Sequence, residues 1–131
     1  MKQKTKSGLK IISHNRKARF NYFFLEFFEA GIALKGSEVK SLRAGKANIA
    51  ESYAYDHNGE IFLINSHIPL YKESSYNNHD SNRNRKLLLN KKEINRILDA
   101  ISQQGLTCVL TSLYWKENKI KCDIAIGKGK K

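Results

Sequence analysis

The sequence predicts a mainly β fold, a small closed antiparallel β-barrel of about six strands with two or three flanking α-helices. Short aromatic and β-branched segments alternate with turn residues along most of the chain, and two helical patterns interrupt them. The 131 residues suffice for one domain with a real core. We divide the chain into a disordered basic arm at residues 1–14, one domain at 15–127, and the start of a basic tail at 128–131.

The strand predictions rest on apolar runs bounded by turn residues. The first run is long and is expected to bend or switch faces near residues 29–31, and the run that contains Pro69, the only proline, is expected at a sheet edge. Residues 74–84 carry almost no apolar side chain and predict a mobile loop. The predicted strands are residues 20–34, 49–55, 60–64, 68–71, 106–115 and 119–126.

Two helices are predicted. The shorter one begins with Ser37 as its cap and ends at Gly45. The longer one has the clearer pattern, because Asn90 and Glu93 form a capping-box pair ahead of an apolar stripe, and Gly105 ends it. The stripe consists of Ile94, Ile97, Leu98 and Ile101. Among common small barrels, the oligonucleotide-binding type matches this order of elements best.

The charge of the chain points to a polyanionic partner. Twenty-four Lys and Arg against twelve Asp and Glu give a net charge of +12, so nucleic acid is the first partner to consider. An acidic membrane is second, but neither a basic amphipathic helix nor a spanning apolar run supports it. Cys108 and Cys122 lack metal-binding spacing and predict buried thiols in a reducing cytosol. We expect no metal and no cofactor.

Cations in the short helix recur at three-residue spacing. A helix would gather Lys40, Arg43 and Lys46 on roughly one face, as a platform for phosphate. A solvated amphipathic face is the alternative. Lys and Arg also cluster in the N-terminal arm, from Arg83 to Arg96, and from Lys116 to Lys131, and a barrel would bring several clusters onto one surface.

Three consecutive leucines precede the longer helix. In an extended segment neighbouring side chains alternate, so Leu87 and Leu89 share one face and Leu88 lies on the other, beside Asn90. An exposed leucine next to an amide suits an unstacked base, and ordinary core packing is the alternative.

Aromatic residues divide into two predicted groups. Phe20, Tyr22, Phe23, Phe24, Phe27 and Phe28 are too dense for a stacking site and are predicted to lie mainly in the core, with Trp115. Tyr53, Tyr55, Tyr71 and Tyr76 are candidates for stacking on bases at the surface. The four histidines are scattered, and an acid–base pair of a ribonuclease has no further motif to support it.

Six motifs that occur in order from Asn15 to Lys131 resemble the tmRNA-binding small protein B family, the SsrA-binding proteins of bacterial trans-translation. The motifs are NRKARFNYFF, FEAG, GSEVKSLRAGKANI, RKLLLN, LYWK and GKGKK. The resemblance implies a barrel with flanking helices and a non-enzymatic RNA-binding adaptor. It implies roles in binding the tRNA-like part of tmRNA for Leu88, Asn90, Glu29 and Lys121.

Glu29 has two chemical interpretations within that role. Its carboxylate accepts hydrogen bonds from a guanine or a 2′-OH, or it orients a nearby Lys or Arg. With residues from the flanking motifs, the predicted RNA-binding set is Arg19, Tyr22, Glu29, Lys40, Arg43, Lys46, Leu88, Asn90, Lys121 and Lys128.

The implied partners are the tRNA-like domain of tmRNA and a stalled 70S ribosome. Elongation factor Tu and alanyl-tRNA synthetase are implied indirectly, through tmRNA, and a cytoplasmic monomer is expected. The alternatives are a generic basic RNA-binding or ribosomal barrel protein and a basic nuclease. Phe20 and Asn21 stand where many members have His and an acid. Members usually continue with a basic tail, so we expect a chain ending at Lys131 to bind tmRNA without supporting tagging.

Overall fold

The computed structural model describes residues 9–71 and 79–130. It contains seven strands and three helices within these ranges. The elements are β1 (Lys10–His14), α1 (Arg16–Asn21), β2 (Tyr22–Ile32), α2 (Gly36–Arg43), β3 (Tyr53–His57), β4 (Glu60–Ile64), β5 (Arg85–Leu88), α3 (Lys91–Ser102), β6 (Thr107–Lys116) and β7 (Lys119–Gly129). No helix in the described residues is long and apolar enough to cross a membrane.

All strand pairings are antiparallel and belong to one sheet. The strand order is β1-β6-β3-β4-β5-β2-β7, and β6 also pairs with β7, so six strands form a closed ring of pairings. Strand β1 pairs with residues 112–115 of β6, farther along that strand than the residues that pair with β3. The longest ladders join β7 to β2 and to β6. The mainly β, antiparallel prediction is confirmed, with seven strands where about six were expected.

Two hairpin turns follow the predicted turn chemistry. Asn58 and Gly59 both have positive φ, +54° and +80°, between β3 and β4, and Glu117 and Asn118 have +51° and +65° between β6 and β7. Two successive left-handed residues match the right-handed twist of the strands they join. Both predicted hairpins are therefore confirmed.

Helix α3 packs its predicted stripe against the sheet. Asn90 Oδ1 accepts from the Glu93 amide at 2.9 Å, and the Glu93 carboxylate accepts from the Asn90 amide at 3.0 Å. Ile97 is fully buried, and Ile94, Leu98 and Ile101 pack against the core with part of their surface exposed. The capping box and the stripe are confirmed.

Helix α1 was not predicted from the sequence. Asn15 caps this helix by accepting from the Ala18 amide at 3.1 Å, and its own amide group donates to the carbonyls of Ile49 and Leu110 at 3.0 and 2.7 Å. The strand predicted over residues 20–34 therefore begins only at Tyr22. The shift in its register with β7 lies between Phe24 and Glu26, and not at residues 29–31, where a bend was predicted.

Other predicted boundaries are wrong. Residues 10–14, assigned to the disordered arm, form β1 against β6, and β7 runs to Gly129, two residues into the tail assigned from residue 128. Residues 68–71 form no strand. Residues 74–78 of the loop predicted at 74–84 lie outside the described residues.

Ser37 does not cap α2. Lys35 occupies the cap position, and the Ser37 hydroxyl lies 2.9 Å from Nδ1 of buried His79. The predicted stop at Gly45 is confirmed, because this residue has φ +79°, a conformation that glycine adopts without strain.

Candidate RNA-binding surface

An open groove of about 370 Å³ crosses the sheet beside β5. Gly31 on β2 lies opposite Leu88 on one side and opposite Lys121 on the other, so a position without a side chain separates these two residues. A Cβ at Gly31 would lie 3.3 Å from the Leu88 Cβ. We call this feature the β5 groove; its lining residues are Gly31, Ile32, Leu34, Val39, Leu88, Trp115, Asn118, Lys119, Ile120 and Lys121.

The leucines ahead of α3 alternate as predicted. Leu87 is buried in the core, Leu89 packs partly against it, and Leu88 is 53% exposed. Leu88 therefore presents an apolar face to the β5 groove without contributing to the core. Asn90 stands exposed two residues later, where its Oδ1 is used by the α3 cap.

A cation and an indole form another part of the groove. The Arg43 guanidinium lies 5.0 Å from the centre of the Trp115 ring, within cation–π distance. Trp115, predicted to be core, is only partly buried and lines the groove. Lys121 and Arg43 thus bring positive charge to the groove from β7 and α2.

Glu29 is held in a hydrogen-bond network on the sheet surface next to the groove. The Tyr114 hydroxyl donates to Glu29 and also lies 2.7 Å from an Asp123 carboxylate oxygen. Lys116 Nζ donates to Glu29 Oε1 at 2.9 Å. Burial and these carboxylates raise the pKa of Tyr114, and the hydrogen bond to Glu29 raises the pKa of Lys116. Both groups stay protonated, so Glu29 has two fixed donors and orients Lys116.

Two arginines from the predicted phosphate-binding cluster are structural. Glu38 and Arg85 are fully buried, with Arg85 Nε donating to Glu38 Oε2 at 2.8 Å. Arg83 donates twice to the same carboxylate, at 2.7 and 2.8 Å. Burial alone would raise the pKa of Glu38, but hydrogen bonds from Arg83, the Lys35 amide and Arg85 hold it below its ordinary value. This network, which the sequence analysis missed, fixes α2 to the segment that enters β5.

The predicted platform of three cations is wrong in its arrangement. The helix ends at Arg43, so Lys46 lies beyond it. The Lys40 ammonium lies 5.8 Å from the centre of the Tyr71 ring, whereas Arg43 lies over Trp115. Of the three cations, Arg43 is the one placed over an aromatic ring that lines the β5 groove.

Three other predicted residues lie at the far end of the β2–β7 ladder. Tyr22 and Lys128 are each seven residues along their strands from Glu29 and Lys121, which is about 23 Å at roughly 3.3 Å per residue. Arg19, exposed on α1, accepts a hydrogen bond at its carbonyl from Lys130 Nζ at 3.0 Å. The predicted set therefore divides into two groups.

The aromatic cluster predicted as core is partly a surface. Phe28 is buried, but Phe20 is 80% exposed and Phe23 is 57% exposed. Lys130 Nζ lies 5.0 Å from the Phe23 ring. The density of aromatic residues was misleading, because Phe20 lies on α1 and Phe23 lies on the solvated face of β2, where alternate side chains are exposed.

The tyrosines predicted to stack on bases were expected at the surface. Tyr53 and Tyr55 are exposed as predicted, and Tyr76 lies outside the described residues.

Cys108 and Cys122 are buried and unbonded to each other, which confirms the prediction of buried thiols. Within residues 9–71 and 79–130, no group of three His, Cys, Asp or Glu side chains is placed to hold a metal ion.

Comparison with protein families gives one match over most of the chain. Residues 12–131 match the family described as SmpB protein. SsrA-binding proteins from Allorhizobium ampelinum and Agrobacterium fabrum are 56% and 54% identical over 123 residues. These alignments cover 93% of this chain and 78% and 77% of the two relatives.

A solved structure is similar over the same region. The chain resembles one in the structure described as "tmRNA-SmpB: a journey to the center of the bacterial ribosome", with a TM-score of 0.75 and 48% identity. The likeness covers 91% of this chain and 84% of the other.

Proposed function

Because the chain belongs to the SmpB protein family, we propose that it is an adaptor that binds the tRNA-like domain of tmRNA and brings it to stalled ribosomes for trans-translation. The observation that carries this proposal is the similarity to SsrA-binding proteins at more than 50% identity over nearly the whole chain. Its fold is also similar to a chain of a tmRNA–SmpB ribosome structure. The proposal assigns no catalytic step to the chain.

The β5 groove is the proposed centre of RNA binding. Leu88 offers apolar surface to the face of an unstacked base, and Gly31, which has no side chain, lets Leu88 pack closely against β2 between that strand and solvent. Lys121 and Arg43 supply positive charge for the neighbouring phosphates. The Asn90 side-chain nitrogen is a hydrogen-bond donor for a base edge, because the cap of α3 uses only the oxygen.

Glu29 acts in this proposal through Lys116. Its carboxylate already accepts from Tyr114 and Lys116, so it holds the ammonium group at the sheet surface beside the groove. Of the two interpretations of Glu29, the geometry favours the orientation of a cation over direct contact with a guanine.

The second group of residues, Arg19, Tyr22 and Lys128, is proposed to contact a separate part of the RNA. The spacing of about 23 Å along the β2–β7 ladder exceeds the reach of one nucleotide but not that of a folded RNA domain. Exposed Lys40 and Lys46 complete the positive surface around α2.

The fold type, the oligomeric state and the indirect partners are also proposed from membership of the family. The ring of strands is inferred to be a barrel of the oligonucleotide-binding type, and the chain to act as a cytoplasmic monomer. Elongation factor Tu and alanyl-tRNA synthetase are expected to meet the protein only through the tmRNA that they bind.

Selective binding tests the function. Affinity for an isolated tRNA-like fragment of tmRNA and for an elongator tRNA is measured near 0.15 M salt and again at higher salt. We expect a preference for the tRNA-like fragment that persists as salt rises, because nonspecific phosphate contacts weaken for both RNAs alike. Equal affinity at every salt concentration would contradict the proposal and leave a generic basic RNA-binding protein.

A further inference from the structure

A second cavity, away from the β5 groove, lies between α1 and the start of β3. Its volume is about 330 Å³, at the lower end of the roughly 300–1,000 Å³ range of small-molecule sites. The wall includes two tyrosines, Tyr22 and Tyr53, and three asparagines, of which Asn15 is buried and Asn21 and Asn65 are exposed. We call it the α1 cavity.

The tyrosine rings offer flat surfaces to this cavity. Tyr53 is 37% exposed on β3, and Tyr22 is half-buried at the start of β2. Tyr22 packs closely over Gly127, where an added Cβ would lie only 3.1 Å from the Tyr22 Cβ. The absence of a side chain at Gly127 therefore allows Tyr22 its place in the wall.

Asn21 and Asn65 supply hydrogen-bonding groups. Their side-chain amides make no hydrogen bond with another of the described residues, and each offers both donors and an acceptor. Asn65 has φ +62°, and its carbonyl accepts from the buried Ser52 hydroxyl at 3.1 Å, which fixes the backbone at this point. Asn65 is thus held at the cavity in a conformation that few residues adopt.

Charge around the cavity favours a ligand that carries phosphate. Its acidic residue, Glu51, forms an ion pair with Lys17 of α1, so its charge is offset. Exposed Arg19 lies on the same short helix, and Lys130 Nζ donates to the Arg19 carbonyl. Aromatic walls, amide edges and nearby cations are the combination with which proteins bind unstacked bases of RNA.

We propose that the α1 cavity binds one unpaired nucleobase, with Tyr53 and Tyr22 contacting its face and Asn21 and Asn65 its hydrogen-bonding edge. The identity of the RNA rests on the proposed function, which makes the tRNA-like domain of tmRNA the source of the base. The proposal assigns a base to Tyr53 and none to Tyr55, although the sequence made both tyrosines equal candidates for stacking on bases.

The first test compares Tyr53→Leu with Tyr55→Leu. The two tyrosines are on the same face of β3 with exposures of 37% and 36%, but only Tyr53 is among the residues that line the α1 cavity. Affinity is measured for the isolated tRNA-like fragment and, in a second arm, for 70S ribosomes. We expect Tyr53→Leu to weaken binding of the fragment by about 5-fold to 150-fold, the range for loss of one stacked base, and Tyr55→Leu to bind as the unmodified protein.

The second test replaces asparagines of positive φ by glycine, which adopts this backbone conformation without strain. Asn65 and Asn58 both have positive φ, +62° and +54°, so glycine at either position removes an amide without adding strain. We expect Asn65→Gly to weaken binding and Asn58→Gly, in the β3–β4 turn, to leave it unchanged. Thermal unfolding of all four variants checks that each folds.

The outcomes separate the two proposals. If the unmodified protein shows no preference for the tRNA-like fragment, the proposed function fails. If it binds selectively and neither Tyr53→Leu nor Asn65→Gly changes affinity in either arm, only the α1 cavity proposal is refuted. An equal loss in Tyr55→Leu also refutes it, and a loss confined to ribosomes supports the cavity but assigns the base to ribosomal RNA.

Discussion

Replacing Glu38 by glutamine should destabilise the fold more than any surface charge substitution. The carboxylate is fully buried and accepts four hydrogen bonds, two from Arg83, one from Arg85 and one from the Lys35 amide. Glu38→Gln leaves the buried Arg85 charge without its counter-ion. Breaking a buried pair in this way typically costs about 3–5 kcal/mol, a large part of the roughly 5–15 kcal/mol that holds a domain folded.

Urea unfolding measures this loss. With a slope of about 2 kcal/mol per M, the midpoint of Glu38→Gln is expected to fall by roughly 1.5–2.5 M while the slope stays the same. The matched control is Glu60→Gln, which removes the partner of Lys86 from a surface ion pair with side chains 49% and 43% exposed. We expect this control to lose about 0–1 kcal/mol.

The result that refutes this reasoning is a small effect at Glu38. A loss below about 1 kcal/mol, or one equal to that of Glu60→Gln, would mean that Arg85 finds other compensation in the folded protein. The carbonyls of Ser66 and Arg83, which also accept from Arg85, would then be enough to hold its charge.

Three further predictions concern pH, the α3 cap and the thiols. The folded-state pKa of Glu38 is lowered, so its stabilisation is fully present above its ordinary pKa of 4.5 and is lost as pH falls through the folded-state pKa; unfolding midpoints against pH should show this component in the unmodified protein and not in Glu38→Gln. Asn90→Ser should keep the cap of α3 and nearly all stability, whereas Asn90→Ala should lose about 0.5–2 kcal/mol in urea unfolding. If the Asn90 amide nitrogen binds RNA, both variants should lose affinity alike for the tRNA-like fragment. Burial raises the pKa of Cys108 to about 12 and also raises that of Cys122, so a thiol reagent at pH 8 should label neither in the folded protein and both in denaturant.

The features that were predicted correctly from the sequence are those that depend on residues close together in the chain. The α3 cap involves residues three apart, and the turns at Asn58 and Asn118 need only a left-handed backbone between strands. The alternation that exposes Leu88 also follows from the geometry of a single strand. These features could be predicted because each depends on a few neighbouring residues.

Features that depend on distant partners could not be predicted. Asn15 stabilises α1 by contacts with Ile49 and Leu110, which are 34 and 95 residues away. Arg85 looked like a surface cation, but its buried partner lies 47 residues earlier. The separation of the predicted RNA-binding residues into two groups follows from the register of β2 with β7, which composition does not specify.

The most direct test of the account compares Leu88→Ala with Leu70→Ala. Both leucines are 53% exposed, but only Leu88 lines the β5 groove, so the two substitutions remove similar apolar surface from different places. Affinity for the tRNA-like fragment of tmRNA is measured for both variants and the unmodified protein. Weaker binding is predicted for Leu88→Ala alone, by about 5-fold or more if a base buries this side chain, since each buried CH2 contributes about 0.8 kcal/mol. Equal affinities for the two variants would contradict the β5 groove as the centre of RNA binding.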